Sequence, residues 1–163
     1  MNKIILLLPF LLYSCTTSRT LVGGKNGSLN RESDLRLSIA SEANQYLGTG
    51  YRYGGLDKKG LDCSGLVYLV FRDHSLSLPR SSAEQRRVGR HTTTRDARVG
   101  DLIFFRQQGK VNHVAIVTGV DRGELWVTHS TTSRGVIKEN LNASAYWLKR
   151  IEDVRDIVSA GLK

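Results

Sequence analysis

The amino-acid sequence predicts an α+β fold in which N-terminal helices pack on a central antiparallel β-sheet. Segments with helical periodicity come first along the chain, and short segments with strand periodicity follow one another afterwards. Consecutive strands separated only by turn residues favour antiparallel pairing. The chain has 163 residues, of which 40% are apolar, and this suits one domain with a hydrophobic core.

The first predicted helix begins near Asp34. Leu35 and Ile39 start an apolar stripe at helical spacing, and either Ser33 or Asp34 is suited to cap the helix N-terminus. Gly48 is expected to end the helix, because glycine readily adopts the left-handed conformation of a C-terminal cap.

Two further helices are predicted after a glycine-rich loop. The second runs from about Cys63 to His74, with its apolar residues on one stripe. The third follows Pro79, where Ser81 and Glu84 have the spacing of a capping box.

Four strands are predicted in the second part of the chain. Their residue types and alternation favour strands over the ranges 101–105, 113–120, 125–129 and 135–139. Gly109 and the turn sequence Asp121-Arg122-Gly123 interrupt these segments, as expected for hairpin connections.

The N-terminal residues are expected to lie outside the folded domain. Lys3 precedes an apolar run over 4–12, which is shorter than the roughly 20 residues that a membrane-spanning helix needs. We therefore predict a signal peptide over 1–14, a flexible tether over 15–32 and a folded domain over 33–163.

Residues 12–15, Leu-Tyr-Ser-Cys, resemble a bacterial lipobox, although Tyr13 is bulkier than is usual at its position. In a lipobox the cysteine becomes the lipidated first residue of the mature chain, so Cys15 is the predicted lipid attachment site. Thr16 follows it rather than an aspartate, which favours the outer membrane, facing the periplasm.

Cys63 is the candidate nucleophile. The chain has two cysteines, and lipidation of Cys15 would leave Cys63 without a disulfide partner. Asp62 is suited to be the N-cap and to accept the backbone N–H of Ser64 or Gly65. The positive end of the helix dipole would then favour the thiolate, whereas the alternative is a small buried apolar residue.

The chain has four histidines, of which His113 begins one predicted strand and His129 ends the next. Both lie equally far along the chain from Asp121. An odd-length turn centred there would set the two imidazoles opposite each other, whereas a two-residue turn would put them on opposite faces. His74 and His91 are interpreted as structural or solvated.

The net charge of +9 and the pI of about 9.9 suit contact with nucleic acid, anionic lipid or an acidic polymer. Export removes most nucleic-acid interpretations, so we expect no nucleic acid among the partners. The basic residues are scattered, and a solvated basic surface explains them equally well.

Six blocks in this order resemble the NlpC family of cell-wall cysteine peptidases, especially its short lipoprotein members in Gram-negative envelopes. The resemblance covers roughly residues 35–151. The blocks are Tyr51-Arg-Tyr-Gly-Gly, Leu61-Asp-Cys-Ser-Gly-Leu-Val, Leu78-Pro-Arg-Ser-Ser-Ala-Glu-Gln, Val99-Gly-Asp-Leu-Ile-Phe-Phe, His113-Val-Ala-Ile-Val and His129-Ser.

The resemblance implies a papain-like fold and hydrolysis of peptidoglycan stem peptides, at amide bonds that involve D-amino acids and meso-diaminopimelate. We expect no cofactor and no metal. Carried onto this chain, it makes Cys63 the nucleophile, His113 the base and His129 the residue that orients His113.

The same resemblance places Tyr51 near the thiol, where its hydroxyl could support an oxyanion, and sets Asp62 and Ser64 beside the nucleophile. Arg80 and Ser81 match a block to which the resemblance assigns no definite function. The capping box alone explains Ser81.

Three alternatives remain at this point. Cys63, His113 and His129 could be zinc ligands of a metal hydrolase, although the close ligand pairs common in zinc sites are missing. A non-catalytic lipoprotein that binds murein is a second alternative. Acyl transfer to lipids by the same cysteine and histidines is a third.

Overall fold

The computed structural model describes residues 25–161, within which the chain forms five helices and eight strands. The helices are α1 (Lys25–Asn44), α2 (Cys63–Asp73), α3 (Ser82–Gln85), α4 (Ala145–Leu148) and α5 (Val158–Gly161). The strands are β1 (Leu56–Asp57), β2 (Gly60–Leu61), β3 (Arg90–Thr92), β4 (Leu102–Gln107), β5 (Lys110–Asp121), β6 (Glu124–Thr131), β7 (Gly135–Asn140) and β8 (Ile151–Asp156).

A six-stranded antiparallel sheet in the order β3-β8-β4-β5-β6-β7 forms the centre of the domain. The α+β prediction is therefore confirmed, and all four predicted strands are present as β4 to β7. The short strands β1 to β3 and the inserted strand β8 were not predicted. β8 pairs with β4 although it is the last strand in the chain.

Apolar side chains cover both faces of the sheet. On one face, α1 and α2 pack their buried residues Ile39, Leu66 and Phe71 against Val114 and Ile116 of β5. A second cluster fills the opposite face, with members Ile103, Phe105, Ala115, Val127 and Trp147. Because β4 and β5 contribute to both clusters, their buried residues run nearly without interruption along each strand.

The first helix begins at Lys25, earlier than the predicted start near Asp34. Residues 25–32 are thus helical, and assigning them to a flexible tether was wrong. Glu32 explains the difference, because its carboxylate accepts hydrogen bonds from Arg36, Arg98 and Ser159 and so holds this turn against the domain.

Other N-terminal predictions fall outside the described residues. The signal peptide over 1–14, the lipidation site Cys15 and the tether residues 15–24 are among them. Within residues 25–161, no helix combines the length and the apolar character that crossing a bilayer requires.

A buried ionic cluster joins α1 to the last strand. The Arg36 guanidinium lies 2.8 Å from an Asp101 carboxylate oxygen and 2.6 Å from one of Asp156, and all three side chains are buried. Removing one member of such a cluster leaves an uncompensated buried charge, which typically costs about 3–5 kcal/mol. This cluster fixes α1, and with it one wall of the core, on the sheet.

Candidate active site

Cys63 is the first residue of α2, and Asp62 is the N-cap of that helix, as predicted. The Asp62 carboxylate accepts the backbone N–H of Gly65 at 2.6 Å and that of Gly54 at 2.7 Å. These two bonds join the helix start to the loop that precedes it. Backbone contacts therefore set the position of the thiol.

The loop lies very close to the first turn of α2. A side chain on Gly65 would put its Cβ 2.2 Å from the carbonyl oxygen of Gly55, so only glycine fits there. The Arg80 guanidinium donates to both oxygens of Asp62, at 3.0 and 2.7 Å, and to Ser64 Oγ at 2.9 Å. The structure thus places Asp62 and Ser64 beside the nucleophile and engages both in holding the helix start.

Cys63 is held against strand β5. Its sulfur lies 3.8 Å from the carbonyl oxygen of Asn112, to which the thiol can donate. Ser130 on β6 donates to the carbonyl oxygen of Leu61 at 2.7 Å, which ties the residue before the cap to the sheet. The helix tip and the sheet are therefore fixed relative to each other.

The Cys63 side chain is 8% exposed. Burial, assisted by the negative charge of Asp62, raises the pKa of this thiol from its ordinary value of 9.0 to about 11. The N–H groups of Val114, Ser64 and Cys63 offset only part of this effect. Burial therefore opposes the effect of the helix end, which we expected to favour the thiolate.

His113 and His129 lie close together, but the strand pairing that brings them together differs from the one predicted from the sequence. The β5–β6 connection is a two-residue turn at Arg122 and Gly123, since Asp121 pairs with Glu124. Such a turn alone would put the two histidines on opposite faces. A register shift between Val117 and Gly119 moves the pairing by one residue and returns them to the same face.

The two imidazoles are hydrogen-bonded to each other. His113 Nε2 lies 2.8 Å from His129 Nδ1, and His129 Nε2 lies 2.7 Å from a carboxylate oxygen of Glu139. The second oxygen of Glu139 accepts from Arg134 at 3.2 Å. His129 is fully buried, so protein groups rather than bulk water determine its contacts.

Trp147 packs on both histidines. Its ring stacks on His113 with centroids 4.5 Å apart and planes inclined by 17°, and it meets His129 edge-on at 5.1 Å. Burial, and secondarily the charge of His129, lowers the pKa of His113 to about 3. His113 is therefore a neutral imidazole at physiological pH and can accept a proton.

Cys63 lies between two connected parts of one cleft. On one side is a hollow of about 550 Å³ whose lining includes Tyr51, Cys63, His113 and Glu139. On the other is a hollow of about 440 Å³ that shares Tyr51 and Cys63 and includes Arg80. A peptide could therefore extend on both sides of the sulfur. Burial raises the pKa of Tyr51, so its hydroxyl stays protonated and can donate.

The other two histidines lie outside this cleft. His74 is the C-cap residue of α2, as expected, and His91 bonds to Asp153 at 2.8 Å. Sequence reasoning missed Glu139 and Trp147. Glu139 ends a predicted strand, but its place beside His129 depends on how β7 pairs with β6, and no local pattern marks Trp147.

The geometry argues against the zinc alternative. A zinc ion needs each ligand nitrogen directed at it from about 2.0–2.1 Å. His113 Nε2 and His129 Nδ1 instead point at each other across one 2.8 Å hydrogen bond. Across residues 25–161, no group of three or more His, Cys, Asp or Glu side chains is arranged to hold a metal ion.

A thiol at a helix tip and an oriented imidazole on the facing sheet, both opening into one cleft, define a hydrolase of the cysteine-peptidase class. The sequence profile of the NlpC/P60 family matches residues 48–156, which is more than half of the chain. The chain belongs to the NlpC/P60 family.

Known proteins agree with this assignment. The murein DD-endopeptidase MepS/murein LD-carboxypeptidase of Escherichia coli K12 is 38% identical over 133 residues, covering 81% of this chain and 68% of that protein. The probable endopeptidase NlpC of the same organism is 31% identical over 157 residues, covering 94% and 97%.

A solved NlpC/P60 protein from Bacillus cereus superimposes with a TM-score of 0.68 at 28% identity. The match covers 76% of this chain but only 40% of the Bacillus protein. The family resemblance predicted from the sequence is confirmed.

Alkylation of Cys63 should be slow at neutral pH and should accelerate as the pH rises towards 11. At pH 8 a thiol with a pKa of about 11 has a thiolate fraction about 100-fold below that of one titrating at 9.0. The measurement is the iodoacetamide reaction rate in a Cys15→Ser chain, where Cys63 is the sole thiol.

The same protein unfolded in urea is the control and should react as an exposed cysteine. A fast rate that does not change between pH 5 and pH 8 would instead reveal a thiolate–imidazolium pair in the free protein.

Proposed function

We propose that this protein is a peptidoglycan hydrolase, a cysteine endopeptidase that cleaves amide bonds of murein stem peptides. The observation that carries the proposal is the shared cleft of Cys63 and His113, with His113 oriented by His129. The names of the relatives supply the substrate class, since the E. coli relative that is 38% identical is a murein DD-endopeptidase.

The reaction would begin with a neutral pair. As the substrate carbonyl approaches, the Cys63 thiol gives its proton to the free nitrogen of His113, and the sulfur attacks the carbonyl carbon. The backbone N–H of Cys63 at the helix start and the hydroxyl of Tyr51 are suited to donate to the resulting oxyanion.

Collapse of the tetrahedral intermediate breaks the C–N bond, and the leaving amine takes the proton from His113. The acyl group is then joined to sulfur as a thioester. His113 next removes a proton from water, the hydroxide attacks the thioester, and the thiol leaves with that proton. The products are an amine and a carboxylic acid, and no cofactor enters the balance.

The bonds that we expect to be cut involve D-amino acids and meso-diaminopimelate. The non-catalytic alternative, a lipoprotein that only binds murein, gives no reason for a histidine pair oriented beside a thiol in one cleft. Acyl transfer to a lipid would use the same thioester, so the reaction products separate it from hydrolysis.

Cys63→Ser and His113→Ala should each lower murein cleavage by more than about 1000-fold, because each removes a reacting group. His129→Ala should lower it by about 10- to 100-fold, because an orienting group contributes less. The measurement is mass spectrometry of muropeptides released from purified sacculi, which also identifies the bond that is cut.

His91→Ala is the matched control, since His91 bonds to Asp153 outside the cleft, and it should retain full activity. Iodoacetamide should inhibit, whereas a chelator should not. Full activity in Cys63→Ser, or loss of activity with a chelator alone, would contradict the thiol mechanism.

We also propose that Cys15 carries lipid and anchors the protein in the outer membrane, facing the periplasm. The support is the sequence alone: a positive residue, an apolar run over 4–12 and a cysteine in a lipobox-like context. The net charge of +9 would add attraction to anionic surfaces.

The lipid proposal predicts that the full chain partitions into the detergent phase of Triton X-114 and that Cys15→Ser shifts it to the aqueous phase. Fractionation of the envelope should place the wild-type chain with the outer membrane. Unchanged partitioning of Cys15→Ser, or a mature mass without acyl groups, would refute the anchor.

A further inference from the structure

Glu139 contacts His129 directly and His113 only through it, and neither the family resemblance nor the sequence pattern assigned Glu139 a role. In the β6–β7 ladder, Val127 pairs with Glu139 and His129 pairs with Ile137. Glu139 is therefore the diagonal neighbour of His129 on the same face of the sheet. One of its oxygens lies 2.7 Å from His129 Nε2.

This contact determines where the protons of both imidazoles lie. A carboxylate can only accept, so His129 Nε2 must carry a hydrogen, and Nδ1 of a neutral His129 is then a bare acceptor. His113 Nε2, which lies 2.8 Å from that nitrogen, must in turn be the donor. The remaining nitrogen of His113, Nδ1, is left bare and able to take a proton.

We propose that Glu139 is a positioning residue that acts through His129 and holds His113 in the tautomer whose Nδ1 accepts the proton of Cys63. The carboxylate is itself held in place, because Arg134 binds its other oxygen at 3.2 Å. His129 is fully buried, and the Glu139 carboxylate is the acceptor that the structure places at its Nε2.

The first test reads the tautomers without substrate, so it does not depend on the proposed function. Nitrogen-15 NMR of histidine-labelled protein should show His113 and His129 both protonated at Nε2. In Glu139→Ala both residues should become tautomer mixtures, while His74 and His91 serve as internal references.

The second test is kinetic and rests on the proposed murein hydrolysis. Glu139→Ala should lower kcat by about tenfold with KM changed by less than about twofold, and Glu139→Gln should lose less, because its amide oxygen can still accept. In a His129→Ala background, Glu139→Ala should have no further effect, since its influence passes through His129.

Glu42→Gln is the matched control, because the Glu42 side chain is 19% exposed, against 20% for Glu139, and it pairs with His74 at 2.8 Å outside the cleft. Wild-type tautomers in Glu139→Ala would overturn the positioning role even if activity fell. An additive loss in the His129→Ala background would also overturn it. If the wild-type protein did not cleave murein, the proposed function would fail while the tautomer result stood.

A separate feature, here called the basic hollow, adjoins the cleft. It has a volume of about 440 Å³, and its basic lining residues come from the turn after α3 and from three strands: Arg86, Arg87, Arg106, Lys110 and Arg155. The hollow shares Ala83 and Val111 with the Arg80 side of the cleft, so the two form a continuous surface.

Two carboxylates only partly balance these charges. Asp153 binds Arg86 at 3.0 Å and Arg155 at 2.8 Å, and Glu152 pairs with Arg106. These ion pairs engage three of the four guanidinium groups of the hollow. Within residues 25–161, Arg87 and Lys110, the two other cations of the hollow, have no carboxylate partner.

We infer that the basic hollow binds a carboxylate of the murein stem peptides, alongside the peptide bound at Cys63. This inference rests on the proposed function. Murein stem peptides carry free carboxylates, whereas the concave shape and the continuity with the cleft do not suit a flat membrane surface. Several guanidinium groups, together with the Lys110 ammonium, match such an anion.

The test uses the double variant Arg87→Glu/Lys110→Glu, in a Cys63→Ser background for binding and in the active chain for kinetics. Binding to purified sacculi should weaken about tenfold, and KM should rise while kcat is unchanged. Arg31→Glu/Arg122→Glu is the matched control, because it changes the net charge equally at exposed positions elsewhere and should bind as the parent does.

Equal weakening by both double variants would reduce the effect to net charge and overturn the inference. The inference would also be overturned if Arg87→Glu/Lys110→Glu lost binding to anionic phospholipid vesicles but kept its binding to sacculi. That result would identify the hollow as part of a lipid-binding surface instead. Because binding is measured without turnover, the result stands whether or not hydrolysis is observed.

Discussion

The Asp62 carboxylate is the contact on which the site depends. It receives the N–H groups of Gly54 and Gly65, the hydroxyl of Ser64 and the guanidinium of Arg80. Three separate segments therefore meet at one side chain immediately before the nucleophile. Burial alone would raise the pKa of this carboxyl, but hydrogen bonds from Arg80 and the two backbone N–H groups lower it. The Asp62 carboxylate that caps the helix therefore stays ionised. Because Cys63 is the next residue, the position of this carboxylate also determines the position of the sulfur.

The buried position of Cys63 and His113 affects the charge states of this reacting pair. Burial raises the pKa of the Cys63 thiol and lowers that of the His113 imidazole, so each charge is disfavoured alone. A thiolate and an imidazolium formed together would attract each other, because both side chains are largely buried. Proton transfer coupled to attack by the sulfur is therefore consistent with a buried pair. In the free protein, Cys63 would remain a weakly reactive thiol.

Local signals predicted the parts of the fold that local chemistry determines. The N-caps at Asp62 and Ser81 depend on residues a few positions apart, and both were found where expected. The extra residue of the β5–β6 bulge at Thr118 was not predictable, because its place depends on packing against both faces of the sheet. The early start of α1 likewise depends on Glu32 reaching distant residues.

The hydrogen-bonded series of His113, His129 and Glu139 shows that a sheet can position side chains more precisely than a loop can. His113, His129 and Glu139 come one each from β5, β6 and β7, and all three project from one face. Neighbouring strands lie about 4.8 Å apart, so diagonal side chains of this size can reach each other without a flexible segment. The bulge at Thr118 is what brings the first of them onto that face. A change of register at the bulge would separate His113 from His129, although both residues would still be present in the sequence. The chemistry of the site therefore depends on the pairing of strands as much as on its residues.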